Sequence, residues 1–116
     1  MYRFKAKVIS GRGRGKQIGF PTANLDAGDL PIAYAVYLVK AKLGRKTCRG
    51  LLHYGPKKTF SEPVSVEVYL KNFNQDIYGR ALEIEVGRKI RPVRKFDNAE
   101  ALKRQIEKDL LELNNS

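Results

Sequence analysis

Tryptophan is absent from the 116 residues, and cysteine, histidine and methionine occur once each. A single cysteine excludes an internal disulfide framework, and the surroundings of Cys48 in TCRGLL suit a small buried strand residue rather than a nucleophile. The single histidine, His53, has no second histidine or cysteine to share a zinc ion, and nothing points to a Ser-His-Asp arrangement. No apolar run approaches the roughly 18 residues that span a bilayer, and no basic-then-apolar signal opens the chain, so a soluble, cytoplasmic protein without a membrane partner is expected. Repeats, linkers and low-complexity segments are also missing, which leaves one domain over residues 1–116. Acidic residues are scarce: 23 Lys and Arg face 12 Asp and Glu, a net charge of +11. That balance calls for an anionic partner, and both nucleic acid and a small polyphosphate such as ATP answer to it. The scattered lysines at 5, 7, 40, 42 and 46 also suit the solvated faces of strands.

What is present is mostly alternation. YRFKAKV from Tyr2 to Val8 places apolar and basic residues in turn, the period of a half-buried strand. Ala33–Leu43 and Lys46–His53 read as two strands joined at Gly44-Arg45, where glycine accepts a positive φ at little cost. Val64–Lys71 and Leu82–Val86 alternate again, on either side of the turn-like NFNQDIYG. Strands follow strands with no helix between them, so five or six strands in a mainly antiparallel sheet, closed into a small barrel, are expected. The chain ends differently. Asp97 followed by Glu100 suits a capped helix start, and Ala99, Leu102, Ile106, Leu110 and Leu113 recur at helical spacing. The charged residues Lys103, Arg104, Glu107, Lys108 and Glu112 then form that helix's solvated face.

Three places have residues suited to chemistry. In GRGRGKQIGFPTANL, Gly11, Gly13 and Gly15 allow close backbone approach to a ligand, while Arg12, Arg14 and Lys16 supply countercharge. An anion is the natural guest, although an RNA-contacting loop has the same composition. Gln17 and Pro21 stand where a mononucleotide loop would have a hydroxyl residue and a helix. Pro21 instead stiffens a turn presenting Thr22 and Asn24, two uncharged oxygen donors that suit Mg²⁺ or, equally, local backbone capping. In VSVEVYLK, Val64, Val66, Val68 and Leu70 share one face, so Glu67 lies on the other with Ser65, Tyr69 and Lys71. There it can be a solvent-side partner of a strand lysine or a general base.

Taken together, GRGRGKQIGFPTANL, the strand VEVYLKNF, the segment DIYG and the closing IRPVRKFDNAEALKRQIEKD resemble the ATP-dependent riboflavin kinases in residues, order and spacing. The resemblance spans nearly the whole chain, and GFPTANL is its most specific part. It implies a six-stranded Greek-key barrel with a C-terminal helix, occurring alone or behind an adenylyltransferase module for which this sequence has no room. It also implies transfer of the γ-phosphate of Mg-ATP to riboflavin, giving FMN and ADP, by a protein expected to be a monomer. By matched position, Thr22 and Asn24 would hold Mg²⁺ and the terminal phosphates, with Gly11, Gly13, Gly15, Lys16, Gly19 and Pro21 in the nucleotide-binding loop. Glu67 would deprotonate the ribityl hydroxyl. Arg91, in the loop before the helix, would approach phosphate and flavin, and Phe96 and Leu102 would line the flavin side.

Two departures touch the nucleotide side. Ile32 replaces a glycine of the family's Gly-Val-Tyr-Ala-Val, and HYGPKKTF from His53 to Phe60 replaces an Asn-Ile-Gly segment followed by Arg-Pro-Thr-Phe. Both bear on whether ATP or another nucleoside triphosphate is the donor. The reading from another class is a small basic barrel that binds RNA or the translation apparatus through Arg12, Arg14, Lys57 and Lys58, with Tyr34, Tyr37, Tyr54 and Tyr69 available for stacking.

Overall fold

The computed structural model describes residues 2–9, 22–56, 64–71, 77–94, 96 and 98–115. Alternating side chains become strands β1 (Tyr2–Ile9), β2 (Ala23–Asp26), β3 (Ala35–Leu43), β4 (Lys46–Pro56), β5 (Val64–Leu70) and β6 (Ala81–Pro92), followed by helix α1 (Ala99–Asn114). All pairings are antiparallel, and the order β1-β2-β5-β4-β3-β6 closes on itself. Strands β3, β4 and β5 are successive neighbours and β6 returns to lie beside β3, which is the Greek-key order. Among the described residues no helix is long and apolar enough to cross a membrane.

Local chemistry accounts for the joints. Leu43 pairs with Lys46 across a two-residue turn in which Gly44 has φ +59°, as the hairpin requires. Gly50 of β4 permits a close approach: a Cβ there would collide with the carbonyl of Tyr69 on β5. The interior is filled by the inward-facing set, including Ala6 and Val8, Tyr37 and Val39, Leu52 and Tyr54, Val66 and Val68, and Leu82 and Ile84. Cys48 packs half-buried against this cluster, a strand residue as expected. Tyr37 donates its hydroxyl proton to the Ala33 carbonyl at 2.7 Å. Burial, with Tyr54 adding to it, raises the Tyr37 phenol above its ordinary value of 10.0.

Four expectations shift. The segment read as a turn around Thr22 and Asn24 is strand from Ala23 onward, because Leu25 fills a core position between β1 and β5. Strand β6 runs well past Val86 to Pro92, with the register against β3 slipping between Val36 and Tyr37 and again between Tyr37 and Val39. Each slip inserts a residue in β6, and two insertions restore the side-chain alternation. Arg91 therefore belongs to a paired strand end rather than to a loop. The helix is capped by Asn98, whose side chain accepts from the Ala101 N–H at 2.8 Å; the expected cap, Asp97, lies outside the described residues.

Candidate active site

Antiparallel partners directly opposite one another share a face of the sheet. Asn24 pairs with Glu67, Glu67 with His53, His53 with Val36 and Val36 with Arg91. These pairings form one row across five strands, and the row is on the outside of the barrel because Leu25, Val66, Val68, Leu52, Tyr54, Ala35 and Tyr37 occupy the interior. An outward Glu normally meets water. Glu67 is nevertheless only 1% exposed, as buried as the core valines.

Helix α1 docks against β4 beside this row. Leu102, Ile106 and Asp109 lie over the row, and together with Thr22, Val36, Leu51, His53, Glu67, Tyr69 and Arg91 they line one cleft. Val36 and Leu51 are buried yet stand apart from the interior cluster, so the outer apolar layer is a second, smaller packing surface between sheet and helix. Arg49 of β4 fastens the far end, donating from Nη2 to the Leu113 carbonyl at 2.7 Å.

Within the cleft, Thr22 Oγ1 donates to Glu67 Oε1 at 3.3 Å. Asn24 Oδ1 is buried and has no hydrogen-bond partner among the described residues. A buried carbonyl oxygen without a donor is costly, about 1–3 kcal/mol, unless something electropositive completes it. Beside a threonine hydroxyl and a carboxylate, that atom fits a hard cation that takes one or two protein oxygens and leaves its remaining positions to water and phosphate. The donor set thus suits Mg²⁺.

At the opposite end of the row, Arg91 is held by Asp109. Nε donates to Oδ1 at 2.9 Å and to Oδ2 at 3.1 Å, and Nη2 donates to Oδ2 at 2.8 Å. Gln105 Nε2 donates to Asp109 Oδ1 at 3.0 Å. Phe96 lies beneath two cations, with the guanidinium carbon of Arg91 at 5.8 Å and that of Arg94 at 5.1 Å from its ring centre. The ten lining residues enclose about 60 Å³, room for a hydroxyl and a few waters rather than for a three-ring flavin. They form the reacting end of a site.

Of the residues named from sequence, Thr22, Glu67, Arg91 and Leu102 share this cleft, Asn24 pairs with Glu67 at its edge, and Phe96 packs on Arg91. Gly11, Gly13, Gly15, Lys16, Gly19 and Pro21 lie outside the described residues, as do Arg12, Arg14, Lys57 and Lys58. Asp109, Gln105 and His53 were not foreseen here. The first had a legible signal: Asp109 follows Ile106 by three and precedes Leu113 by four, a charged residue on the apolar stripe of the helix.

A family model for flavokinases, described as riboflavin kinase, matches residues 1–116. The chain is 43% identical over 114 residues to a bifunctional riboflavin kinase/FMN adenylyltransferase of Bacillus subtilis, covering 93% of this chain and 36% of that protein. It is 37% identical over 105 residues to the RNA-binding riboflavin kinase RibR of the same organism, covering 89% of this chain and 46% of the relative. The chain thus spans about a third to a half of the length of these two relatives. The crystal structure of riboflavin kinase from Trypanosoma brucei superposes with a TM-score of 0.68 at 25% identity, covering 97% of this chain and 77% of that one.

Proposed function

The chain belongs to the riboflavin kinase family, and from that premise we propose that it transfers the γ-phosphate of Mg-ATP to the terminal ribityl hydroxyl of riboflavin, giving FMN and ADP. The observation that carries this reading is the burial of Glu67 on the outer face of the barrel, in one cleft with Thr22 and Arg91. A carboxylate in that position is accounted for by a proton it must take.

Phosphoryl transfer asks a protein chiefly to align two oxygens and to offset charge. Glu67 accepts the proton of the riboflavin hydroxyl as that oxygen attacks phosphorus in line. Its strand pairs on both edges, with β2 and with β4, which fixes the carboxylate against the sheet. Thr22 and Asn24 would hold Mg²⁺, which when bound offsets the charge on the phosphate oxygens. Arg91 lines the same cleft as the base and supplies positive charge to the phosphoryl group there. The helix residues Leu102 and Ile106 exclude water from the base and present apolar surface to the flavin end.

The test is to incubate the purified protein with riboflavin, Mg²⁺ and each nucleoside triphosphate in turn and to separate FMN from riboflavin by chromatography. FMN formation with ATP is expected; a folded protein that yields none with any donor refutes the proposal. A second reading, polyanion binding, is favoured by the outer face of β1, β6 and β3, where Arg3, Glu85 and Lys40 form one cross-strand row and Lys5, Glu83 and Lys42 the next. Binding of single-stranded RNA that falls about a thousandfold over a modest rise in salt would support it.

A further inference from the structure

Among the described residues only two charged side chains are buried, Glu67 and Asp109, and the mechanism above uses only the first. Asp109 stands on α1, 4% exposed, and grips Arg91 side-on through Nε and Nη2, while Gln105, one helical turn earlier, donates to the same carboxylate. This side-on grip occupies one edge of the guanidinium. The Nη1 end is turned away from Asp109 and, among the described residues, donates to the Pro92 carbonyl at 3.3 Å, a long contact that a phosphate oxygen can replace.

We propose that Asp109 is a positioning residue for phosphoryl transfer: with Gln105 locking its carboxylate, it fixes the plane of Arg91 so that the Nη1 edge, in exchange for Pro92, meets the transferring phosphate. The inference rests on the riboflavin kinase reading. Its physical basis is the difference between Arg91 and an ordinary surface arginine. A free arginine samples many rotamers and must be ordered at the moment of reaction, whereas here two parallel N–H···O bonds and the Phe96 ring below define one plane in advance. Because Gln105 and Asp109 are both on α1, the helix that roofs the cleft also aims its cation, and the two roles are coupled through one element.

A helper that acts only through Arg91 leaves a particular kinetic signature. Asp109→Asn keeps the shape but removes the charge that fixes the guanidinium, and kcat is expected to fall roughly tenfold to a hundredfold. The KM values for riboflavin and Mg-ATP should move by less than about threefold, since the loss falls on the transition state. In an Arg91→Gln background, the added Asp109→Asn change should lower kcat by less than about twofold, because its target is already gone.

The experiment is steady-state FMN formation by the full chain for wild type, Asp109→Asn, Arg91→Gln and the double variant, with melting temperatures measured alongside. Should Asp109→Asn be unfolded at the assay temperature, Gln105→Met tests the same chain of contacts, with an expected threefold loss in kcat that disappears in the Arg91→Gln background; Asp109→Glu should recover part of the activity. An unchanged or raised kcat in the folded variants, or losses that multiply in the double variant, overturns the proposal. Absence of FMN from the wild type instead overturns the riboflavin kinase reading on which it rests, a separate and distinguishable result.

Discussion

Glu67→Gln is the sharpest perturbation available, because it changes one oxygen to nitrogen at a buried site. The side chain is 1% exposed and accepts from Thr22 Oγ1 at 3.3 Å, and glutamine retains a carbonyl oxygen able to accept that same proton. Shape and the Thr22 contact are therefore preserved. Neutralising a buried group also removes the cost of holding a charge out of water, so folding stability should stay within about 1 kcal/mol of wild type or rise. Catalysis should respond quite differently. A positioned general base contributes about 10²- to 10⁴-fold to such a step, which is about 3–5 kcal/mol of activation free energy at 1.36 kcal/mol per decade. The assay is single-turnover FMN formation with saturating Mg-ATP, read by chromatography, beside a thermal melt of the same preparation. A variant that melts like wild type and forms FMN within threefold of its rate would refute the argument from burial to base.

Asn24→Ala deletes the buried orphan oxygen, so the apoprotein should be unchanged or more stable by about 1 kcal/mol in denaturant titration while the Mg²⁺ concentration needed for half-maximal rate rises about tenfold. Equal Mg²⁺ dependence in the two proteins would contradict the metal assignment. Gly50→Ala should destabilise the barrel by more than about 2 kcal/mol, since its methyl group meets the backbone of Tyr69 and not a yielding side chain; a wild-type melting temperature would show that β4 and β5 can part there at no cost. Tyr37 has its ionisation raised by burial, so its contribution to stability is complete below pH 10 and is lost as pH climbs through the higher folded-state value. Tyr37→Phe should thus cost about 1 kcal/mol near neutrality, through the lost bond to Ala33, and the gap to wild type should narrow above pH 10 in urea melts.

Much of the barrel was legible because period-two alternation is a direct imprint of a wall with one dry face. YRFKAKV, AVYLVKAKL and VSVEVYL each declare their inward residues, and Gly44-Arg45 marks the tight turn between β3 and β4. Two features were not legible for a common reason. Strand β2 is four residues long, too short for alternation to emerge against Pro21 and Thr22. The end of β6 slips register twice, and a slip scrambles the very period that announces a strand, which is why Arg91 read as loop. The site was half legible. Sequence placed Glu67 on the outer face, but whether that face meets water depends on tertiary packing, such as the docking of α1 beside it, between segments far apart in the chain. Asp109 shows how such docking leaves a trace: a carboxylate on an apolar helical stripe needs a buried cation, and the structure supplies Arg91.

The claim that underlies the rest is spatial: riboflavin and the nucleotide meet on the outside of the barrel, in the cleft shared by Thr22, Glu67 and Arg91. A crystal structure with riboflavin and Mg-ADP bound tests it most directly. The account predicts the terminal ribityl hydroxyl within hydrogen-bond reach of Glu67, about 2.6–3.2 Å, with the phosphates beside Thr22 and Asn24. A flavin seated elsewhere, such as over the basic rows of β1, β6 and β3, with Glu67 still buried, would contradict it.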